Sequence, residues 1–241
     1  MLELKNIEIK VSSRSLFKLG ELKLNAGLIA LIGRNGTGKS TFLRTILGEH
    51  KNFSGLIKLD DKNLADIPKS EMAKLISVVY SKPDIFGNHS VKEVLLLGRL
   101  PYQNLFANTT QEDLSEVNRV LELLELKAFA DKQFSILSDG EKQLAMIGRA
   151  LVQNTPIILL DEPGAFLDLV NRYKLAGILK KIVADSNKLV IYSTHHIDLL
   201  ENYCSGVLLI AAKLPQYGDN EMKYLSEVNQ FLPEIKRTFG L

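Results

Sequence analysis

Several features that would define a structural class are missing from this chain. A single cysteine, Cys204, among 241 residues excludes an internal disulfide framework. It cannot build a thiolate zinc site alone, and it points to a reducing compartment. No apolar run approaches about 18 residues, so no segment spans a bilayer and any membrane role must pass through a partner. An excess of one charge is also missing. Thirty basic against 28 acidic residues leave a net +2, which gives no electrostatic footprint for nucleic acid. There is no internal repeat, low-complexity tract or obvious linker. The opening MLELKNIEIK alternates apolar and polar residues and reads as a strand rather than a signal peptide. What remains is a globular composition, 46% hydrophobic and 24% charged, which excludes a disordered or fibrous chain. The length suits one large domain, or a domain with an insert.

Patterning along the chain divides it into three stretches. Residues 2–9 alternate as a half-buried strand, and 28–32, LIALI, read as a buried central strand. A glycine-rich turn then leads into a helix that stops at Gly48. Strands are expected at 56–60 and 75–79, with a short helix over 69–74 between them. From about 85 to 153 the pattern is helical: a Ser90–Glu93 capping box, leucines and valines at helical spacing in 111–126, and a further helix over 140–154. Strands return at 157–161, 189–193 and 206–212, with a helix over 168–184. Strand–helix alternation on both sides of a helical block predicts an α/β fold with a mainly parallel sheet and a helical insertion. A last helix is placed near 221–231.

Residues 33–40, GRNGTGKS, follow a predicted strand and open a helix. Glycine at Gly33, Gly36 and Gly38 lets backbone N–H groups of the loop, including Arg34, Asn35 and Thr37, turn toward phosphate oxygens. The helix N-terminus adds partial positive charge. In this pattern Lys39 reaches the β and γ phosphates, the Ser40 hydroxyl ligates magnesium, and Thr41 adds a phosphate contact.

IILLDEP, residues 157–163, sets two carboxylates at the carboxyl end of a buried strand, where open parallel sheets bind ligands. Asp161 is suited to hold magnesium through water, and Glu162 to polarise the water that attacks the γ phosphate.

A third motif lies between them. LSDGEKQ, residues 137–143, stands about 20 residues before the acidic pair at a predicted helix start. With these motifs in this order, the chain resembles the ATP-binding subunit of an ABC transporter over roughly residues 1–212. The resemblance implies a P-loop NTPase fold with a RecA-like core, N-terminal antiparallel strands and an inserted helical subdomain. Approximate bounds are 1–84 and 154–241 for the core and 85–153 for the helices, within one ABC ATPase domain over 1–241. It also implies ATP and Mg2+, and a head-to-tail homodimer in which the signature Leu137, Ser138, Asp139, Gly140 and Glu141 of one subunit meets the nucleotide of the other. Asp168 matches the aspartate of the loop linking the two sites, and His195 matches the switch histidine. Partners implied are a polytopic membrane permease and a substrate-binding protein acting through it, with the chain on the cytoplasmic face of the membrane and no nucleic acid.

The segment LLLGRLPY, within residues 91–102, resembles the ATPase subunits of iron-chelate, haem and cobalamin importers. Other readings are a soluble ABC ATPase without a permease and a degenerate subunit with weak hydrolysis. Five positions depart from the family pattern. Val11 stands where an aromatic ring usually stacks on adenine, with Phe17 as a candidate substitute. Ser81 replaces a glutamine that touches magnesium and the attacking water. The signature carries Asp139 and Glu141, acids near a γ phosphate, which are tolerable if they face outward and cap. His196 follows the switch where an acid is common.

Overall fold

The computed structural model describes residues 1–82, 87–103, 109–211 and 220–240. They form two compact units, residues 1–68 with 179–241 and residues 69–178.

In the first unit, strands β1 (Leu2–Val11), β2 (Arg14–Leu19) and β3 (Leu22–Leu24) lead into β4 (Gly27–Ile32) and helix α1 (Lys39–Ile46). Strands β5 (Phe53–Leu59) and β6 (Lys62–Asn63) follow. β1 pairs antiparallel with β2, β3 and β5, so the N-terminal antiparallel strands expected from the resemblance are present. Alternation drives this layer: Leu2, Leu4, Ile7 and Ile9 are buried, and a positive-φ Asn6 accompanies the register break after Lys5.

The second unit contains α2 (Lys69–Leu75), β7 (Ile76–Val79), α3 (Val91–Leu96), α4 (Gln111–Leu123), α5 (Asp139–Val152) and β8 (Ile157–Leu160). Helix α6 (Leu169–Ser186) begins in this unit and ends in the first. Its buried Leu175, Ala176, Leu179 and Ile182 recur at helical spacing. The first unit is completed by β9 (Leu189–Ser193), α7 (Leu200–Tyr203), β10 (Gly206–Ala211), β11 (Asn220–Leu225) and α8 (Val228–Phe239).

The sheet of the first unit runs β6-β5-β1-β2-β11-β10-β4-β9. Its centre is parallel, with Val207 beside Ala30 and Leu28 beside Val190. β4 and β9 are buried throughout, as strands covered on both faces must be. In the second unit β7 and β8 pair in parallel, Ile76 with Ile157 and Val79 with Leu160. Leu75 closes α2, so the strand expected at 75–79 begins one residue later.

The segment near the C-terminus departs from the sequence expectation. Residues 220–225 are a strand and not part of a helix, and the helix runs from Val228 to Phe239. NEMKYL alternates with Met222 inward, and β11 has an open edge on each side to fill. It pairs antiparallel with β10 and parallel with β2. Helical patterning from 221 loses to this tertiary pairing.

Within the second unit α3, α4 and α5 pack through Val91, Val94, Leu95, Val117, Val120, Leu121, Ala145 and Ile147, all buried. Capping boxes open each helix: Ser90 with Glu93, Thr110 with Asp113, and Ser138 with Glu141. LLLGRLPY forms the end of α3 and a 3-10 turn over Leu97–Tyr102. There Arg99 Nε donates to Asp113 Oδ1 at 2.7 Å, Arg99 Nη1 donates to the Val152 carbonyl at 3.2 Å, and the guanidinium lies 4.5 Å from the Tyr102 ring centroid. Cys204 is a buried small hydrophobe. Burial pushes its thiol up to about 11, beside the Tyr192 hydroxyl at 3.0 Å, so it carries no thiolate chemistry. Among the described residues no helix is long and apolar enough to cross a membrane.

The Arg99 hydrogen bond holds the Asp113 carboxyl below the usual aspartate range, with the Thr110 cap adding to it against the opposing effect of burial. A depressed carboxyl contributes stability that is full above the unfolded value near 3.9 and is lost as pH falls through the lower folded value. Asp113→Asn is expected to cost about 1.5–3 kcal/mol at pH 7. In denaturant titrations the gap between wild type and variant should close below about pH 4.

Candidate functional site

Two clusters of predicted site residues emerge, one in each unit. In the first, the phosphate loop leaves the carboxyl end of β4 and turns through two left-handed glycines, Gly36 at φ +76° and Gly38 at φ +104°. Thr37 closes the turn by donating its N–H and its hydroxyl to the Arg34 carbonyl, at 3.3 and 2.8 Å. A side chain at Gly33 or Gly38 would also press on its neighbours. A Cβ on Gly33 would fall 2.6 Å from Thr37 Oγ1 and 3.2 Å from Ile210, and one on Gly38 would fall 2.8 Å from Leu16. Leu16, Phe17 and Ile210 therefore form the floor of the loop, a role no sequence motif signals.

The buried Lys39 folds back over this turn. Its Nζ donates to the Gly33 carbonyl at 3.0 Å and the Arg34 carbonyl at 3.4 Å, and lies 3.3 Å from His195 Nε2. An ammonium only donates, so Nε2 is the acceptor in this contact. Parallel pairing brings His195 to this place. The Thr194 N–H extends the β4–β9 ladder to the Leu31 carbonyl at 3.1 Å, so the residue after it emerges beside the start of the loop.

The fit to an anionic ligand is visible in the helix that follows. α1 has no side-chain cap and no acid in its first turn, whereas α3, α4 and α5 are all capped by their own side chains. Its positive end is presented together with the Lys39 ammonium and the exposed Ser40 hydroxyl, a donor set suited to phosphate and to a phosphate-bound divalent cation. Asn35 is exposed on the loop, while Thr41 is half-buried with its carbonyl taken by the Thr45 hydroxyl at 2.7 Å.

In the second unit, Asp161 extends β8 by donating its N–H to the Val79 carbonyl at 2.8 Å. Asp161 is buried and Glu162 half-buried. Glu162 adopts φ +50°, a conformation that costs a non-glycine residue about 1–2 kcal/mol. Its carbonyl accepts from the Ala165 N–H at 3.0 Å, which closes the following turn. Val79 pairs with Leu160, and Ser81 lies two positions past the end of β7.

The signature starts α5. Ser138 donates its N–H and hydroxyl to Glu141 Oε2 at 2.8 and 2.6 Å, and accepts from the Glu141 N–H at 3.4 Å. These bonds, the hydroxyl's first, hold the Glu141 carboxyl below its ordinary range. Ser138 is thus the cap, and Asp139 is exposed, 3.7 Å from Lys142. Both acids behave as cap and outward residue. Leu137 is buried beneath them. Gly140 touches the loop after the acidic pair, since a Cβ there would fall 3.1 Å from the Phe166 carbonyl. Asp168 ends that loop by accepting from the Asn171 N–H at 2.8 Å, capping α6.

One proposed substitution is corrected. Phe17 is fully buried and packs edge-on against Phe42 with ring centroids 5.9 Å apart, so it offers no face to a base. Alternation in β2 points it inward, under Gly38. Val11, 45% exposed at the end of β1, has no aromatic surface of its own. His196 donates its N–H to the Thr194 hydroxyl at 3.0 Å.

A family model described as ABC transporter matches residues 20–165. An uncharacterized ABC transporter ATP-binding protein of Methanocaldococcus jannaschii is 31% identical over 238 residues, 98% of this chain and 82% of that protein. A Bacillus subtilis protein named "Probable siderophore transport system ATP-binding protein" is 31% identical over 186 residues, 77% of this chain and 68% of that protein. A molybdate import ATP-binding protein of Haemophilus influenzae is 30% identical, covering 88% of this chain and 79% of its own. Among solved structures, an inward-facing metal-chelate type ABC transporter aligns at TM-score 0.82 and 26% identity, over 100% of this chain and 89% of that one. A dimeric ATP-binding cassette in a post-hydrolysis state with ADP and Pi aligns at TM-score 0.78 and 25% identity, over 94% of this chain and 98% of that one.

The glycines provide a graded test. At Gly36 there is open space and only the positive φ to oppose alanine, at a cost of about 1 kcal/mol. At Gly38 the same strain is joined by the clash with Leu16. Titration with a fluorescent ATP analogue is expected to show Gly36→Ala within about fivefold of wild type, and Gly38→Ala weakened by more than tenfold.

Proposed function

Because this chain belongs to the ABC transporter family, and is an Mg2+-dependent ATPase that binds ATP, we propose that it powers import of an iron chelate of the siderophore, haem or cobalamin type. It would act as a homodimer, peripheral on the cytoplasmic face of the membrane, beneath a polytopic permease that receives cargo from a substrate-binding protein. The observation that carries the ATPase roles is the position of Lys39, whose ammonium is held over the phosphate loop with His195 at its side.

The roles follow from chemistry. Backbone N–H groups of Gly33–Lys39 and the α1 terminus bind phosphate oxygens, with Ser40 and Thr41 adding hydroxyls. Lys39 exchanges its carbonyl partners for β and γ oxygens, and His195 then meets the γ phosphate. A bound Mg2+ would supply charge neutralisation for the phosphate groups. Ser40 and Asp161 are the residues that would hold it, with Ser81 as a further contact. Glu162 orients the attacking water and takes its proton as the γ phosphorus–oxygen bond to ADP breaks. Ser138 and Gly140 serve the nucleotide of the partner subunit, and Asp168 links the two sites. Outward placement of Asp139 and capping by Glu141 support active hydrolysis rather than a degenerate subunit, since neither acid has to face the phosphate.

The helical subdomain, approximately 85–153 within a core of 1–84 and 154–241, would receive the permease. Leu100, 53% exposed, and Tyr102, 38% exposed, on the turn ordered by Arg99 and Asp113, are the surface we assign to that contact. The cargo class rests on LLLGRLPY and on the names of the siderophore and metal-chelate relatives. The molybdate relative shows that such similarity spans more than one cargo.

Glu162→Gln is expected to lower ATP hydrolysis at least about 100-fold while trapping an ATP-bound dimer on gel filtration. Full hydrolysis by the variant would remove Glu162 from its role. Gentle detergent extraction of the tagged chain should bring down a polytopic protein in equal amount. A chain recovered alone from the soluble fraction would overturn the transport reading and favour a soluble ABC ATPase.

A further inference from the structure

We infer that the end of α8 is a positioning element for the phosphate loop, acting through Arg34. The inference rests on the ATPase reading above. Within the first unit Arg34 Nη2 donates to the Phe239 carbonyl at 3.4 Å, and the Arg34 guanidinium lies 5.8 Å from the Phe239 ring centroid. Phe239 is the last residue of α8. The helix closes at a left-handed Gly240, whose N–H bonds the Lys236 carbonyl. The final carbonyls of a helix have no intrahelical donor and carry the negative end of its dipole, so a guanidinium is a natural partner there.

The backbone of the same arginine shapes the loop. Its carbonyl accepts from the Thr37 N–H at 3.3 Å, the Thr37 hydroxyl at 2.8 Å and Lys39 Nζ at 3.4 Å. One residue therefore joins the helix end to the donors that close the phosphate turn. The helix has a firm seat for this purpose: Phe231 and Ile235 are fully buried, and Glu234 faces Lys223 of β11 at 3.8 Å. A second path runs beneath the loop, where Gly33 lies against Ile210 of β10, the strand paired with β11. An arginine in a phosphate loop could otherwise swing its charge onto the phosphates. Here the side chain is drawn toward α8, and its contribution to ATP binding passes through the backbone.

Steady-state ATP turnover of the full chain tests this. Phe239→Ala is expected to raise KM for ATP about 3- to 10-fold with kcat within about twofold of wild type, and Phe239→Tyr should restore KM. Arg34→Gln should also raise KM, and adding Phe239→Ala to it should cause no further loss, as for two residues acting through one contact. If Phe239→Ala does not fold, as judged by thermal melting, Phe239→Leu carries the same expectation, since it keeps the apolar bulk and removes the ring. An unchanged KM in the folded Phe239 variant, fully multiplicative losses in the double variant, or a fall in kcat alone would overturn the proposal. Wild-type protein without ATP turnover would instead overturn the ATPase reading beneath it.

Discussion

Between the end of β4 and the first turn of α1 the backbone takes two left-handed conformations, at Gly36 and Gly38, within three residues. That turn sets the direction of everything around it. It points the α1 terminus outward without a side-chain cap, and it folds Lys39 back over the Gly33 and Arg34 carbonyls. Its underside is closed by Leu16, Phe17 and Ile210, so the path on which phosphate would lie is fixed from below by the core. Glycine is required twice over, for the dihedral angle at Gly36 and for both angle and space at Gly38.

The second unit solves a different problem with the same physics of helix ends. Three of its helices start with a side chain that accepts from the backbone and an acid that returns the bond. At α5 this device coincides with the signature, so Glu141 serves the helix terminus through the Ser138 N–H and hydroxyl. An acid at this position reads in sequence as electrostatic conflict with a phosphate unless it faces outward and caps. In the fold it is one half of a cap. Glu162 illustrates the reverse economy: its left-handed backbone costs energy locally and turns the chain sharply after β8, where the acidic pair is displayed.

Much of this is legible in the sequence. Strands β4, β8 and β9 were visible as unbroken apolar runs, because strands covered on both faces have no polar position to spare. The Ser90 box was legible because capping is local in sequence. The phosphate loop and acidic pair were legible because their chemistry needs particular residue types at fixed spacing. β2, β3 and β11 were not, because a short half-buried strand is defined by its neighbours. NEMKYL reads locally as part of a helix, and becomes a strand because β10 and β2 flank it. Phe17 reads in the sequence as a candidate ring for the base for a related reason. Only the register of β2 says which face it takes, and that face is the core beneath Gly38.

The sequence by itself determined the chemistry available: an ammonium, hydroxyls and glycines in one loop, two carboxylates at a strand end, and a serine cap opening a helix. These are matters of composition and short-range spacing, over which the backbone has few choices. Tertiary structure decided which distant groups meet. His195 reaches Lys39 only because β9 pairs with β4, and Phe239 reaches Arg34 only because α8 packs back on the strands that flank the loop. Such contacts join positions 156 and 205 residues apart, where closure depends on the whole sheet order rather than on any local pattern.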